Sequence, residues 1–171
     1  AFAVNTVIDE SRRLSYINFG EIRQSHMDAV NFVRQYCEIE IDKQYSTVVT
    51  TSAGYPLDKT YYQTVKGMVG ALGVLRPGGR LIIASEISEG LGSTEYVESQ
   101  RRLLKLGAES FMKMIEDQQL ARVDEWQTQM QLKAMAQGSI SLYSTGLRAE
   151  DTDLTGVKRI GSITDAVMTS I

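Results

Sequence analysis

Along this chain the spacing of apolar residues switches between two and nearly four, and each switch marks an element. Residues 3–8 and 14–19 alternate as strands do, and the polar run Asp9-Glu10-Ser11-Arg12-Arg13 between them predicts a hairpin turn. From Glu21 onward Ile22, Met27, Ala29, Val30, Val33 and Tyr36 recur at helical spacing, with Ser25 or Asp28 available to cap the start. The β-branched run Thr47-Val48-Val49-Thr50-Thr51 reads as a buried strand. A helix is predicted over 57–75, with Tyr61, Val65, Met68, Val69 and Leu72 on its apolar side and Pro77-Gly78-Gly79 as its stop. Arg80-Leu81-Ile82-Ile83-Ala84-Ser85 is then a continuous apolar strand of the kind covered on both faces in a parallel sheet.

Strand, helix and strand here form one βαβ unit with a right-handed crossover. Ser88-Glu89-Gly90-Leu91-Gly92-Ser93-Thr94 is a glycine-rich loop, and Ser93 or Thr94 can cap a helix that starts near Glu95. Helical sequence continues to Gln137 with a break at 118–124, and Gly138 ends it. Strands at 139–144 and 157–160 and a final helix at 163–171 complete the pattern. The expectation is an α/β fold, a layered sandwich with a mainly parallel sheet flanked by helices, plus an N-terminal β-hairpin. Residues 1–20 read as the end of a preceding N-terminal domain and 21–171 as a C-terminal α/β domain. The chain opens inside a strand with no initiating Met, which points to a piece of a longer protein.

Composition narrows the function. A chain of 171 residues, 43% hydrophobic and 23% charged, suits one globular domain or one domain with an attached piece of another. A net charge of -3 gives no electrostatic reason to expect nucleic acid. The one conspicuous basic cluster, Arg101, Arg102 and Lys105, is flanked by Glu95, Glu98 and Glu109 and reads as a salt-bridged, solvated helix face. Cys37 is the only cysteine, so no internal disulfide and no cysteine-rich zinc site can form, which fits a reducing, cytoplasmic setting. His26 is the only histidine, which excludes an HExxH motif, and its place at a helix start favours a structural role. No apolar run approaches the roughly 20 residues that span a bilayer, so no membrane partner is expected.

Candidate chemistry gathers in two places. Gly67, Gly70 and Gly73 lie inside or late in a helix, where close packing rather than phosphate binding is expected. Gly90, Gly92 and Ser93 follow a strand and precede a helix, so they form either an anion-binding loop or an ordinary connection. Gln63 and Lys66, three residues apart, share a helix face one turn from its N-terminus, where an amide, an ammonium and the helix end can together grip a carboxylate. Spacing alone favours a solvated pair. Asp58 is placed to cap that helix, and Tyr55-Pro56 to shape the loop before it. Residues 75–83 resemble a Pro-Gly-Gly turn of S-adenosylmethionine-dependent methyltransferases, but Ser52-Ala53-Gly54-Tyr55-Pro56 supplies no glycine-rich cofactor loop.

The string Gly54-Tyr55-Pro56-Leu57-Asp58, then Tyr62-Gln63 and Lys66-Gly67, resembles the nickel-dependent lactate racemase family, and the likeness continues through Pro77-Gly78-Gly79, Glu89-Gly90-Leu91-Gly92 and Trp126-Gln127. The resemblance implies the C-terminal domain of a two-domain isomerase, a racemase or epimerase of 2-hydroxy acids, whose active site lies in the cleft between domains. It implies Gln63, Lys66, Tyr62 and Trp126 as substrate or cofactor contacts, with no catalytic residue and no metal ligand in this chain. The family's lysine-tethered nickel pincer nucleotide, its nickel-binding histidine and its proton-exchanging histidines belong to the N-terminal domain. The expected partners are therefore that domain and a small 2-hydroxy acid, and the chain alone is expected to carry no cofactor and no activity. The competing reading is a non-enzymatic α/β ligand-binding domain that keeps the fold with altered chemistry.

Overall fold

Two short stretches of alternating sequence at the N-terminus pair with each other, and the helix that follows folds back on them. In the computed structural model, which describes residues 1–170, β1 (Phe2–Ile8) and β2 (Leu14–Glu21) form an antiparallel hairpin against which α1 (Ile22–Cys37) packs. The seam is partly polar. Asn5 donates to Asn18 Oδ1 at 3.2 Å and to Ser25 Oγ at 3.0 Å, while Asn18 donates to the Ser25 carbonyl at 2.8 Å. Ser25 is thereby buried in the seam rather than capping α1, and Glu21 caps it by accepting from the Gln24 N–H. These bonds from main-chain N–H groups hold the Glu21 carboxyl below its ordinary pKa.

Because α1 spends its buried face on the hairpin, the compact unit runs Ala1–Asp42 and the next begins at Lys43, whereas the sequence suggested a division after Gly20. The opposite face of the hairpin, with Phe2, Val4, Ile8, Leu14, Ile17 and Phe19, is exposed.

The second unit holds a four-stranded parallel sheet in chain order, β3 (Tyr45–Thr51), β4 (Leu75–Ala84), β5 (Gly138–Tyr143) and β6 (Lys158–Ile160). The intervening helices are α2 (Tyr61–Gly70), α3 (Thr94–Leu106), α4 (Ala108–Glu116), α5 (Glu125–Gln137), α6 (Ala149–Thr152) and, after β6, α7 (Ile163–Met168). The main core joins Tyr61, Val65 and Met68 of α2, Leu81 and Ile83 of β4, Ile140 and Leu142 of β5, Tyr96 of α3 and Ala134 of α5. Leu103, Phe111 and Leu132 form a second cluster among α3, α4 and α5. Each fully buried side chain of this size contributes about 1.5–3 kcal/mol, so α2 is held chiefly by its apolar face.

Several boundaries differ from the sequence reading. Residues 54–60 are turn, with a cis Tyr55–Pro56 bond and with Leu57 N and Asp58 N both donating to the Gly54 carbonyl. Thr60 then caps α2 by accepting from Gln63 N, so the helix starts at Tyr61 and Asp58 is not its cap. The Asp58 carboxylate accepts from Glu86 N at 3.2 Å instead, and its carbonyl accepts from Ile87 N, tying the turn to the end of β4.

Pro77-Gly78-Gly79 lies inside the irregular start of β4, where the partner jumps from Leu75 to Arg80 while β3 advances only from Tyr45 to Thr47. Gly78, at φ +73°, makes that excursion possible. A further break at Gly107 separates α3 from α4. The last helix ends at Met168, and the expected final residue of that helix, 171, lies outside the described residues.

Candidate functional site

The first turn of α2 is where the loop after β4 folds over. Tyr61 N donates to the Gly90 carbonyl at 3.0 Å and Tyr62 N to the Leu91 carbonyl at 2.9 Å. With Gln63 N on Thr60 Oγ1, the free N–H groups that normally make a helix start attractive to anions are already used. Positive charge for a ligand at this turn therefore comes from Lys66. An ion pair between Lys59 and Glu89 adds a side-chain tie between the same two segments.

Tyr61 points inward, fully buried, and donates its hydroxyl to the Thr155 carbonyl at 2.8 Å. Tyr62, one residue on, points to the surface edge and becomes the hub of an aromatic patch. Its ring centroid lies 5.2 Å from that of Tyr96 and 6.0 Å from that of Trp126, with both pairs close to perpendicular. The Lys66 ammonium stands 5.3 Å from the Tyr62 ring centroid, within cation–π range. Trp126 is 50% exposed, a large ring left half open to solvent. Burial pushes the Tyr62 phenol up in pKa, and the neighbouring Asp124 carboxylate pushes it further.

The structure thus brings together three of the four residues singled out as substrate or cofactor contacts: Tyr62, Lys66 and Trp126. The fourth, Gln63, lies on the same turn of α2 as Tyr62 and Lys66, is partly exposed, and its side-chain amide makes no hydrogen bond among the described residues. An ammonium, a free amide and two aromatic walls can hold a small carboxylate against an apolar surface.

The glycine-rich loop does other work. Gly92, at φ +132°, lies so close to Tyr62 that a Cβ there would stand 3.1 Å from the tyrosine Cβ. Gly90, at φ +77°, turns the chain near Arg148 and Asp151. Ser93 caps α3 by accepting from Tyr96 N at 3.1 Å and donates its hydroxyl to Asp124 Oδ2 at 2.6 Å. A cleft of about 460 Å³ lined by Thr60, Tyr62, Glu89, Gly92, Ser93 and Asp124 has no Lys or Arg in its lining, and the Asp124 carboxylate there disfavours an anion, while Glu89 is paired with Lys59. Its geometry serves packing and capping.

At the carboxyl ends of β3, β4 and β5, where open α/β sheets bind ligands, a second cleft of about 450 Å³ includes Thr51, Asp58, Ser85, Glu86 and Tyr143. Its two carboxylates make it a poor rival to Lys66 for an anionic ligand.

Behind Trp126 lie residues to which the sequence reading gave no part in the site. Glu125, 3% exposed, accepts from Arg102 at 3.0 Å and from Gln118 at 2.7 Å. Arg102 therefore reaches across to α5 instead of serving a solvated face with Glu98. Gln127 donates to the Tyr62 carbonyl at 2.7 Å. The available signal was a run of amides, Gln127 and Gln131 among them, at positions that a helix packed on a sheet must bury. His26 is exposed in the N-terminal unit, and Cys37 is an exposed free thiol. Among the described residues no group of three or more His, Cys, Asp or Glu could hold a metal ion, and no helix is long and apolar enough to cross a membrane.

Comparison with known proteins fits this arrangement. The chain is 34% identical over 96 residues to the lactate racemase of Thermoanaerobacterium thermosaccharolyticum, a match that covers 56% of the chain and 22% of that protein. It is 31% identical over 97 residues to the lactate racemase of Lactiplantibacillus plantarum, with the same coverage of 56% and 22%. The fold superposes on the lactate racemase apoprotein from T. thermosaccharolyticum with a TM-score of 0.84 at 23% identity, covering 99% of this chain and 40% of that one. Residues 41–169 match the description of the lactate racemase C-terminal domain, and the chain belongs to that family.

Proposed function

We propose that this chain is the C-terminal part of a longer 2-hydroxy acid racemase or epimerase, in which it holds the substrate carboxylate beside the reacting carbon. The observation that carries the reading is the cluster of Lys66, Tyr62 and Trp126 on one patch, with the free amide of Gln63 on the same turn. Both named relatives are lactate racemases, and the matched segment is about a fifth of their length, so the remaining chemistry resides elsewhere in such a protein.

The α-proton of a hydroxy acid carboxylate is a poor acid. Moving a hydride off that carbon leaves a planar keto acid, and its return to either face scrambles the centre. A nickel pincer nucleotide would supply the hydride acceptor when bound. By the family resemblance, the nickel would be held by another part of the protein. What these residues do is bind and orient. Lys66 holds the carboxylate as a point charge, Gln63 donates to a substrate or cofactor oxygen, and Tyr62 and Trp126 wall off water so that the charge contact strengthens. The exposed apolar face of the hairpin, Phe2, Val4, Ile8, Leu14, Ile17 and Phe19, supports a partner domain of the same protein. A cytoplasmic setting would keep Cys37 reduced.

The test uses the longer parent protein, made in cells able to synthesise the cofactor, with nickel content and racemisation of a panel of 2-hydroxy acids measured for native protein and Lys66→Ala. Nickel-loaded native protein with activity that falls roughly ten- to a hundredfold in the variant is expected, since a charged contact is worth about 1.5–3 kcal/mol. A metal-free, inactive native protein, where a known racemase is active under the same conditions, would turn the reading to a ligand-binding domain.

A further inference from the structure

Three of the four residues 124–127 at the start of α5 are tied down, and the fourth is Trp126. Asp124 accepts from Ser93, and Glu125 accepts from Arg102 and Gln118. Gln127, 1% exposed, donates its side-chain Nε2–H to the main-chain oxygen of Tyr62 at 2.7 Å, across 65 positions of sequence. Between two buried polar residues stands the half-exposed Trp126.

The acceptor is the informative part. In an α-helix the carbonyl of residue 62 is also the partner of the N–H of residue 66. Gln127 thus grips the peptide group that joins the turn of Tyr62 and Gln63 to Lys66. A second hydrogen bond to a carbonyl already paired in its own helix contributes only modestly to folding, and an apolar side chain of the same volume would fill the space. The bond's distinctive effect is directional, since it fixes the rotation and height of α5 against α2. We propose that Gln127 is a positioning residue that sets Trp126 against Tyr62 and Lys66, so that aromatic wall and ammonium face one ligand. The identity of that ligand rests on the 2-hydroxy acid reading, whereas the geometry does not.

Trp126 is the only tryptophan of the 171 residues, so its emission reports this geometry directly. The experiment compares this chain with Gln127→Met, which keeps the volume and removes the donor, and with Gln127→Glu, which keeps the shape. An ionised Glu faces the Tyr62 carbonyl with an oxygen and repels it, while a protonated Glu donates and restores the bond. Burial raises the pKa of such a carboxyl, which brings that protonation within reach between about pH 8 and about pH 5. Nearby titratable groups are Asp124, Lys66 and the phenols of Tyr62 and Tyr96, and the native chain measured at each pH removes their contribution.

The expected result is red-shifted emission and easier acrylamide quenching for Gln127→Met at every pH and for Gln127→Glu near pH 8, with Gln127→Glu returning to the native signal in acid and all three retaining native circular dichroism. In the longer protein Gln127→Met should lower kcat/KM about tenfold, mostly through KM. Native-like emission in both variants, a change in Gln127→Glu that acid does not reverse, or loss of the fold in both would overturn the positioning role. An inactive parent protein would count against the racemase reading and leave the fluorescence result standing.

Discussion

The rings of Tyr62 and Trp126 stand 89° to one another with their centroids 6.0 Å apart, so the tryptophan of one helix meets the tyrosine of another through an edge. The same Tyr62 ring lies under the Lys66 ammonium. Contacts of this type couple the two side chains by about 0.5–1.5 kcal/mol beyond their burial. A double-mutant cycle with Tyr62→Leu, Trp126→Leu and the pair, read by urea denaturation, should return a coupling in that range. Strict additivity would mean that the two rings are neighbours without interacting.

A mainly parallel sheet was readable from β-branched and apolar runs, and Leu81-Ile82-Ile83 of β4 is buried on both faces as such a run requires, whereas β3, read as a buried strand, is an edge strand with Val49 50% exposed. Among helix starts, Ser93 as the cap of α3 was readable, but the start of α2 was not. Asp58 has the right chemistry for a cap, but the tight turn at residues 54–60 carries the chain further before α2 begins, and Thr60 takes the role. Spacing put Lys66 and Gln63 on one helix face, where the structure has them, but only the family resemblance singled them out as ligand contacts. Asp124 and Gln127 act through contacts with Ser93 and Tyr62, 31 and 65 positions away, which no local pattern encodes.

Glycines divide by space. At Gly67 a Cβ would lie 2.7 Å from the Thr51 carbonyl oxygen and 3.0 Å from Ser52 Oγ, where α2 crosses the end of β3, whereas at Gly70 and Gly73 it would meet nothing within 4 Å. Only the first fulfils the expectation of close packing. Gly67→Ala should destabilise by about 1–3 kcal/mol, because a backbone oxygen in a sheet cannot step aside. Gly70→Ala should gain about 0.5–1 kcal/mol from helix propensity. Thermal unfolding of the two variants should therefore move in opposite directions, and a stabilised Gly67→Ala would show that the helix can lift off the strand freely.

Arg102 and Glu125 form a largely buried ion pair at 3.0 Å, with side chains 23% and 3% exposed. Arg102 Nε has no partner among the described residues, so the pair is imperfectly satisfied and its net worth is small. Breaking it is another matter. Arg102→Met leaves the Glu125 carboxylate with Gln118 alone and should cost about 3 kcal/mol. Changing both residues to Met should recover most of that loss in guanidinium denaturation. A double variant as unstable as the single one would mean that the pair contributes stability beyond avoiding a stranded charge.

Two fully buried phenols govern behaviour in base. Tyr61 donates to the Thr155 carbonyl at 2.8 Å and Tyr96 to Gln131 Oε1 at 3.4 Å. Burial raises the pKa of both well above the ordinary 10.0, with the Tyr96 charge adding to the shift at Tyr61. The folded chain keeps both protons in conditions where the unfolded chain sheds them. Stability from these groups is therefore complete below about pH 10 and is lost as pH rises through the folded values, with a slope of about 2.7 kcal/mol per pH unit for two protons. Tyr61→Phe should halve that slope while costing about 1 kcal/mol at neutral pH for the lost hydrogen bond. Urea denaturation at intervals from about pH 8 to about pH 11 measures both quantities. A curve in which Tyr61→Phe falls as steeply as the native chain would show that other groups dominate alkaline unfolding and that the Tyr61 hydroxyl ionises while the protein is still folded.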